Sequence, residues 1–438
     1  MSSSAVYEKV VRDSLERNKD SLNDISQDIW KNPEQKFEEF FAHSLLTDFL
    51  EHRGFTVARA YKQLKTAFRA EFQSANYKQG EDPTIAVLCE YDALPEIGHA
   101  CGHNLIAEGE HSTIAVLCEY DALPEIGHAC GHNLIAEAGV ATGLAVQDVL
   151  RNLTTQDEQP KVEGKIVVLG TPAEEGGGGK VILVREGAFE DIDFAMMVHP
   201  AYHNDLEPVI LGVDMCEVEF QGKAAHAACG PWEGLNALDA AVAVYQNIAL
   251  YRQQMKPDWR VHGVILNGGA KPNIIPDCTV SSYFIRARTI SDLAVLKANI
   301  LEIFHSAAEA TGCTVKVTWE ENPYTGMMHS SAMACLYRTF SAGEGVIFPD
   351  FTVSVSGSTD MGNVSLEVPS IHPKFFAGQP LMIHSRDFQR LAGSPEAQRY
   401  TLIAAKAMAL TCVELFTNRQ IRDQVLHEFT LRKATFTG

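Results

Sequence analysis

Residues 113–137 read TIAVLCEYDALPEIGHACGHNLIAE. A short apolar run of buried-strand type leads into a turn carrying Glu119, Asp121, His128, Cys130 and His132, and a helical pattern follows from Asn133 to Leu150. Strand, side-chain-rich loop and helix form the repeating unit of an α/β sheet, whose strand ends present groups to a crevice. Residues 84–108 repeat the stretch letter for letter, after which Gly109-Glu110-His111-Ser112 intervenes. Two adjacent copies make no solenoid, which needs several stacked units, so the pair reads as a recent tandem duplication or an error in the gene model.

Two site-bearing copies cannot fill one site. The helix behind the first would stop after about one turn, whereas the second runs into an uninterrupted helix, and a ligand loop needs a rigid element behind it. Cys130 and His132 are therefore expected to serve, with Cys101 and His103 displaced as the alternative pair. Two arrangements are open for the strand. Thr84 to Cys89 takes the sheet position while the second copy supplies only the loop and helix, with residues 90–112 bulged out, or the first copy inserts whole near a sheet edge, since long surface insertions cost little entropy.

Working outward, Val6 to Phe49 has helical spacing broken near Asn32-Pro33, and Thr66 to Phe72 alternates as a strand. Residues 165–170 and 194–198 are further buried strands. Together they imply a mostly parallel sheet flanked by helices. From about Glu207 the order becomes strand (214–221), helix (236–255), two strands (261–266 and 278–287), helix (290–311) and strand (314–320). That is a small α/β sandwich inserted as a unit. The expected division is a discontinuous catalytic domain, 1–207 and 322–438, around an inserted domain, 208–321, with a closing helix at 398–415.

A length of 438 residues fits two domains, and 46% apolar residues suffice for full cores. The net charge of −20 argues against nucleic acid or an anionic membrane as partner. The start lacks the apolar region of a signal peptide, no run is expected to span a bilayer, and ten scattered cysteines suit a reducing, cytoplasmic setting.

Several strand ends carry lone-pair donors: Glu119, Asp121, His128, Cys130 and His132; Glu174 and Glu175 after 165–170; His199 after 194–198; and His384 before the last helices. Singly, each is more often a satisfied structural group; their conjunction at one sheet edge indicates a metal site. Adjacent glutamates in a turn divide the work, one binding metal while the other takes a proton from water. The run Gly176–Gly179 before Lys180 is no phosphate loop, because Glu174 falls where its first glycine belongs and Val181 replaces the required hydroxyl residue.

These motifs together resemble the M20 metallopeptidase and aminoacylase family, especially its aminoacylase-1-like dipeptidase branch. The likeness runs from Ile29-Trp30 through EYDALPEIGHACGHN, GTPAEEGGGGK, MMVHP, GKAAHAA and GAKPNIIPD to SGSTDMGNVS and the last histidine. It implies Cys130, His132, Glu175, His199 and His384 as metal ligands, Glu174 as general base and Asp121 as the acid holding a ligand beside the metals. The inserted domain resembles the family's dimerising lid, so a homodimer is implied. There His226 would reach the scissile carbonyl, often across the dimer, and Asn273 and Arg286 would hold the substrate carboxylate.

The resemblance implies two divalent ions, zinc by donor set, with manganese or cobalt the alternatives. The expected function is cleavage of the amide bond of dipeptides, with a basic, β-alanyl-lysine-like C-terminal residue. An N-acyl amino acid or aminobenzoyl-glutamate amidohydrolase is the neighbouring reading, and a metal-binding scaffold inactivated by the duplication is the third.

Overall fold

The computed structural model describes residues 3–77, 84–89, 114–119, 121–123, 125–152, 162–349 and 357–437. Two compact units emerge. The first comprises 1–209, 328–354 and 363–434, and the second 210–327, 355–362 and 435–438.

In chain order the elements are α1 (Ser3–Lys31), α2 (Phe40–His52), β1 (Thr56–Arg59), β2 (Phe68–Gln73), β3 (Thr84–Cys89), β4 (Ile114–Cys118), α3 (His132–Asn152), β5 (Lys165–Gly170), α4 (Gly179–Arg185), β6 (Phe194–Met197) and β7 (His199–Ala201). There follow β8 (Gly212–Gln221), α5 (Ala237–Tyr251), β9 (Arg260–Asn267), β10 (Cys278–Ala287), α6 (Ile290–Thr311) and β11 (Thr314–Trp319). The chain closes with α7 (Ser331–Ala342), α8 (Met361–Glu367), β12 (Ser370–Ile371), β13 (Lys374–Phe376), α9 (Arg386–Ala392), α10 (Pro395–Thr417) and α11 (Arg419–Thr437).

The first unit holds a seven-stranded sheet in the order β1-β2-β5-β3-β4-β6-β12. β5, β3, β4, β6 and β12 run parallel, while β1 and β2 form an antiparallel edge. The mostly parallel sheet expected from the alternating pattern is thus present. Neither arrangement foreseen for the repeat holds. The two repeated strands lie side by side inside the sheet, Leu88 opposite Leu117 and Cys89 opposite Cys118, with β3 against β5 and β4 against β6. A fully apolar strand is as suited to the sheet interior in either copy, so each takes an interior place. Residues 90–113, with Cys101 and His103, lie outside the described residues.

Behind the second copy, α3 is buried along nearly its whole length and packs on α1 and α10. Its Ala-rich surface lets neighbours approach closely, and Asn133 ties it across, its amide donating to Ser26 Oγ at 3.0 Å and to the Ala392 carbonyl at 2.9 Å. The expectation that no segment is long and apolar enough to span a bilayer needs correction. At 23 residues α10 is long and apolar enough to cross a membrane by composition. Its apolar character has a local cause, because Ala404, Ala405, Met408, Ala409 and Cys412 are buried in the core with α3 and α7.

In the second unit the four strands are ordered β11-β8-β10-β9 and all neighbours are antiparallel. α5 and α6 cover one face through Ala240, Val244 and Ile248, and Leu296, Ile300 and Phe304, which meet Val218, Phe220 and Ile285.

Candidate metal centre

The parallel strands of the first unit end at one edge, and their exits carry the polar groups. Cys130 and His132 follow β4, Glu174 and Glu175 follow β5, His199 opens β7, and His384 precedes α9. Gly131 adopts φ +86°, and a Cβ there would lie 2.7 Å from Pro200 Cγ. Glycine is what lets the Cys130 loop turn against the His199 loop.

Three donor groups emerge, each with its ligand atoms within 4.8 Å of one another: Cys130, His132 and His199; Cys130, Glu175 and His384; and Glu119, His132 and Glu174. All five sequence-expected ligands are therefore assembled, and Glu174 stands with them. Cys130 Sγ is 3.4 Å from His199 Nε2, and His384 Nε2 is 3.4 Å from Glu175 Oε1. His384 sits at φ 61°, a left-handed conformation rare for a side-chain-bearing residue, and its N–H donates to the Ala129 carbonyl at 2.8 Å.

The surrounding hydrogen bonds set the imidazoles. His199 Nδ1–H donates to the Pro200 carbonyl at 2.7 Å, and His132 Nδ1–H donates to Asp121 Oδ1. Both Nε2 atoms thereby face Cys130. The other oxygen of Asp121 accepts the Glu175 N–H at 3.2 Å, so one carboxylate steadies two ligand segments. Cys130, His132 and Asp121 are buried, whereas the His384 side chain is 49% exposed, so the cluster meets solvent at that end.

Electrostatics point the same way. Burial pushes the Cys130 thiol well up and His199 down to about 3, aided by neighbouring His132. Burial alone would lower His132, but Asp121 and Cys130 outweigh it and hold it well above the ordinary imidazole value. Burial would raise Glu175, and its hydrogen bond with His384 and the charge of His132 bring it below the usual carboxylate range. Buried carboxylates such as Glu119 and Asp121 beside these groups favour cations. Thiolate, imidazoles and carboxylates converging from separate loops fit divalent metal, and His132 Nε2 is buried without a hydrogen bond of its own.

Two residues of this region went unnoticed in the sequence. Lys180, fully buried, lies with its Nζ 3.5 Å from Glu119 Oε1. His372, buried at the exit of β12, has its ring 5.8 Å from that of His199. The signal for His372 was its place at a strand end before Pro373; Lys180 gave none beyond the glycine run.

The remaining predicted residues belong to the second unit. His226 is exposed, and its Nδ1 accepts the Ala228 and Cys229 N–H groups at 3.2 Å each, leaving Nε2 protonated and outward as a donor. Asn273 is adjacent, its carbonyl accepting the Ala227 N–H at 3.1 Å. Arg286 donates to Ser358 Oγ at 2.7 Å and to His262 Nε2 at 3.3 Å, and among the described residues it has no carboxylate partner. Asn273 and Arg286 do not come together as expected. Asn273 precedes the Cys278 end of β10, while Arg286 lies near the other end of that strand, roughly 27 Å from Cys278 at 3.4 Å per residue.

A family model described as a peptidase dimerisation domain matches residues 211–312. The human Xaa-Arg dipeptidase is 40% identical over 421 residues, spanning 94% of this chain and 89% of the relative. The chain belongs to the M20 peptidase family. A p-aminobenzoyl-glutamate hydrolase polypeptide of Escherichia coli is 29% identical over 496 residues, 96% of this M20 chain and 94% of that protein. A solved dinuclear metal-binding M20 peptidase from Bacillus subtilis shares the fold, with TM-score 0.64 at 16% identity, covering 92% of this chain and 99% of that one. The sequence reading as a metal-dependent amide-bond hydrolase, with catalytic and dimerisation domains, is borne out.

Proposed function

We propose that this M20 peptidase hydrolyses dipeptides whose C-terminal residue is basic, arginine foremost, through a pair of divalent ions. The intact donor set of Cys130, His132, Glu175, His199 and His384 carries the reading, since every ligand position is filled by a side chain suited to it. Full-length likeness to an Xaa-Arg dipeptidase supports the substrate class. When bound, the ions supply Lewis acidity that activates water and polarises the carbonyl, and a thiolate with imidazoles suits zinc. Glu174 takes the proton of the attacking water and returns it to the leaving nitrogen. His226 donates its Nε2–H to the carbonyl oxygen as charge develops there. Arg286, which has donors to spare, receives the substrate's terminal carboxylate.

The reading includes a homodimer. Strand β9 at the sheet edge exposes Val264, Ile265 and Leu266, and α5 exposes Val242, Tyr245 and Leu250. An unpaired apolar edge of this kind calls for a second copy. The separation of Asn273 from Arg286 within one protomer supports the same conclusion, because a partner can offer one end where the other is needed. A reducing compartment such as the cytoplasm suits a buried free Cys130 serving as ligand.

The test is kcat/KM on a dipeptide panel ending in Arg, Lys, Glu and Ala, with aminobenzoyl-glutamate, after loading with Zn²⁺ or Mn²⁺. A basic terminus should be preferred, and Arg286→Lys should raise KM with little change in kcat. Preference for aminobenzoyl-glutamate or an N-acyl neutral amino acid would replace the dipeptidase reading, and no turnover on any member would leave a metal-binding protein.

A further inference from the structure

Glu119 is the first residue beyond β4, where the chain leaves the sheet toward Asp121. Its side chain is wholly buried. One carboxylate oxygen lies 3.5 Å from Lys180 Nζ, and the other lies 3.3 Å from His132 Nε2. His132 Nδ1–H is already given to Asp121, and its Nε2 is buried without a hydrogen bond and faces the Glu119 oxygen. Only a cation, a proton on Nε2 or a metal ion, holds two such atoms at that separation. The carboxylate of Glu174 comes within 4.8 Å of both, which gathers two carboxylates and an imidazole about one point.

From this geometry we propose that Glu119 is a sixth protein ligand of the metal pair, sharing one ion with His132 and Glu174, and that Lys180 is its counter-charge. The inference rests on the metal-centre reading above. Were Glu119 only the partner of Lys180, its carboxylate would turn both oxygens to the ammonium in a close contact. Instead the contact is long and the second oxygen faces the ligand histidine. Burying an unbalanced charge at this depth is costly, which gives the lysine its reason.

The experiment titrates Zn²⁺ into metal-free wild type, Glu119→Gln, Lys180→Met and the double variant, following bound metal by plasma mass spectrometry and the visible spectrum of Co²⁺-loaded protein. Loss of the ligand should weaken one ion at least roughly 10-fold, the range that even indirect partners of a ligand command, and change the Co²⁺ spectrum. The same weakening should appear in the double variant, in which no buried charge is stranded, so the comparison survives if Glu119→Gln folds poorly. Metal-free Lys180→Met should melt lower than wild type, and the double variant should recover. Wild-type affinity for both ions in Glu119→Gln and the double variant would overturn the assignment. Cys130→Ala separates the two levels. If it loses metal while the Glu119 variants do not, only this inference fails; if it too keeps both ions, the metal centre itself is misplaced.

Discussion

Replacing Glu137 by glutamine should make the protein more stable, and increasingly so as the pH rises. Glu137 lies in α3, one turn beyond His132, and is completely buried. Its Oε1 accepts the Gln398 amide at 2.8 Å, but burial dominates and pushes the carboxyl up to about 8 from an ordinary value of 4.5. The unfolded chain releases this proton near 4.5 while the folded chain holds it to about 8, so stability is lost as pH climbs through that window. At about 1.4 kcal/mol per pH unit, the loss is about 1 kcal/mol at pH 5, about 3 at pH 7 and about 4 at pH 8. Glutamine keeps the shape, accepts from Gln398 with its oxygen, and carries no proton to lose. Urea unfolding in EDTA, followed by circular dichroism at pH 5, 7 and 8, gives the difference between wild type and Glu137→Gln. It should grow by about 3 kcal/mol across the range. A constant difference, or a variant less stable than wild type at pH 8, would refute the reasoning.

Gly131→Ala should lower metal-free stability by about 1–3 kcal/mol and weaken metal binding together, because the left-handed backbone and the contact with Pro200 both resist a Cβ; differential scanning calorimetry and Zn²⁺ titration would show it, and unchanged values would contradict it. His226→Ala should reduce kcat by roughly 10²–10³-fold with metal content and melting temperature unchanged, as expected for an exposed donor to a developing oxyanion. A wild-type kcat would remove His226 from the reaction.

The fold was legible because strand and helix patterns in this chain are strongly periodic and agree with the alternation of the sheet. The ligands were legible for a related reason, since parallel strands deliver Cys130, Glu175 and His199 to one edge, and strand ends can be counted in a sequence. Lys180 was not, because its partner Glu119 is 61 positions away and no local pattern pairs them. The repeat was misjudged for want of pairing information. An apolar hexamer declares that it is buried, not whether its twin will lie beside it, as β3 and β4 do. Asn273 and Arg286 were expected to hold one carboxylate from the resemblance, while in one protomer Arg286 lies along β10 and Asn273 outside that strand, before its Cys278 end.

Whether the second copy of the repeat builds the metal centre is decided by metal content per chain in wild type, Cys130→Ala and Cys101→Ala after dialysis against buffered Zn²⁺. Wild type and Cys101→Ala should each hold two ions, and Cys130→Ala should hold fewer, with peptide hydrolysis falling in step. Full metal content in Cys130→Ala, or equal loss from both variants, would show that the second copy does not build the centre.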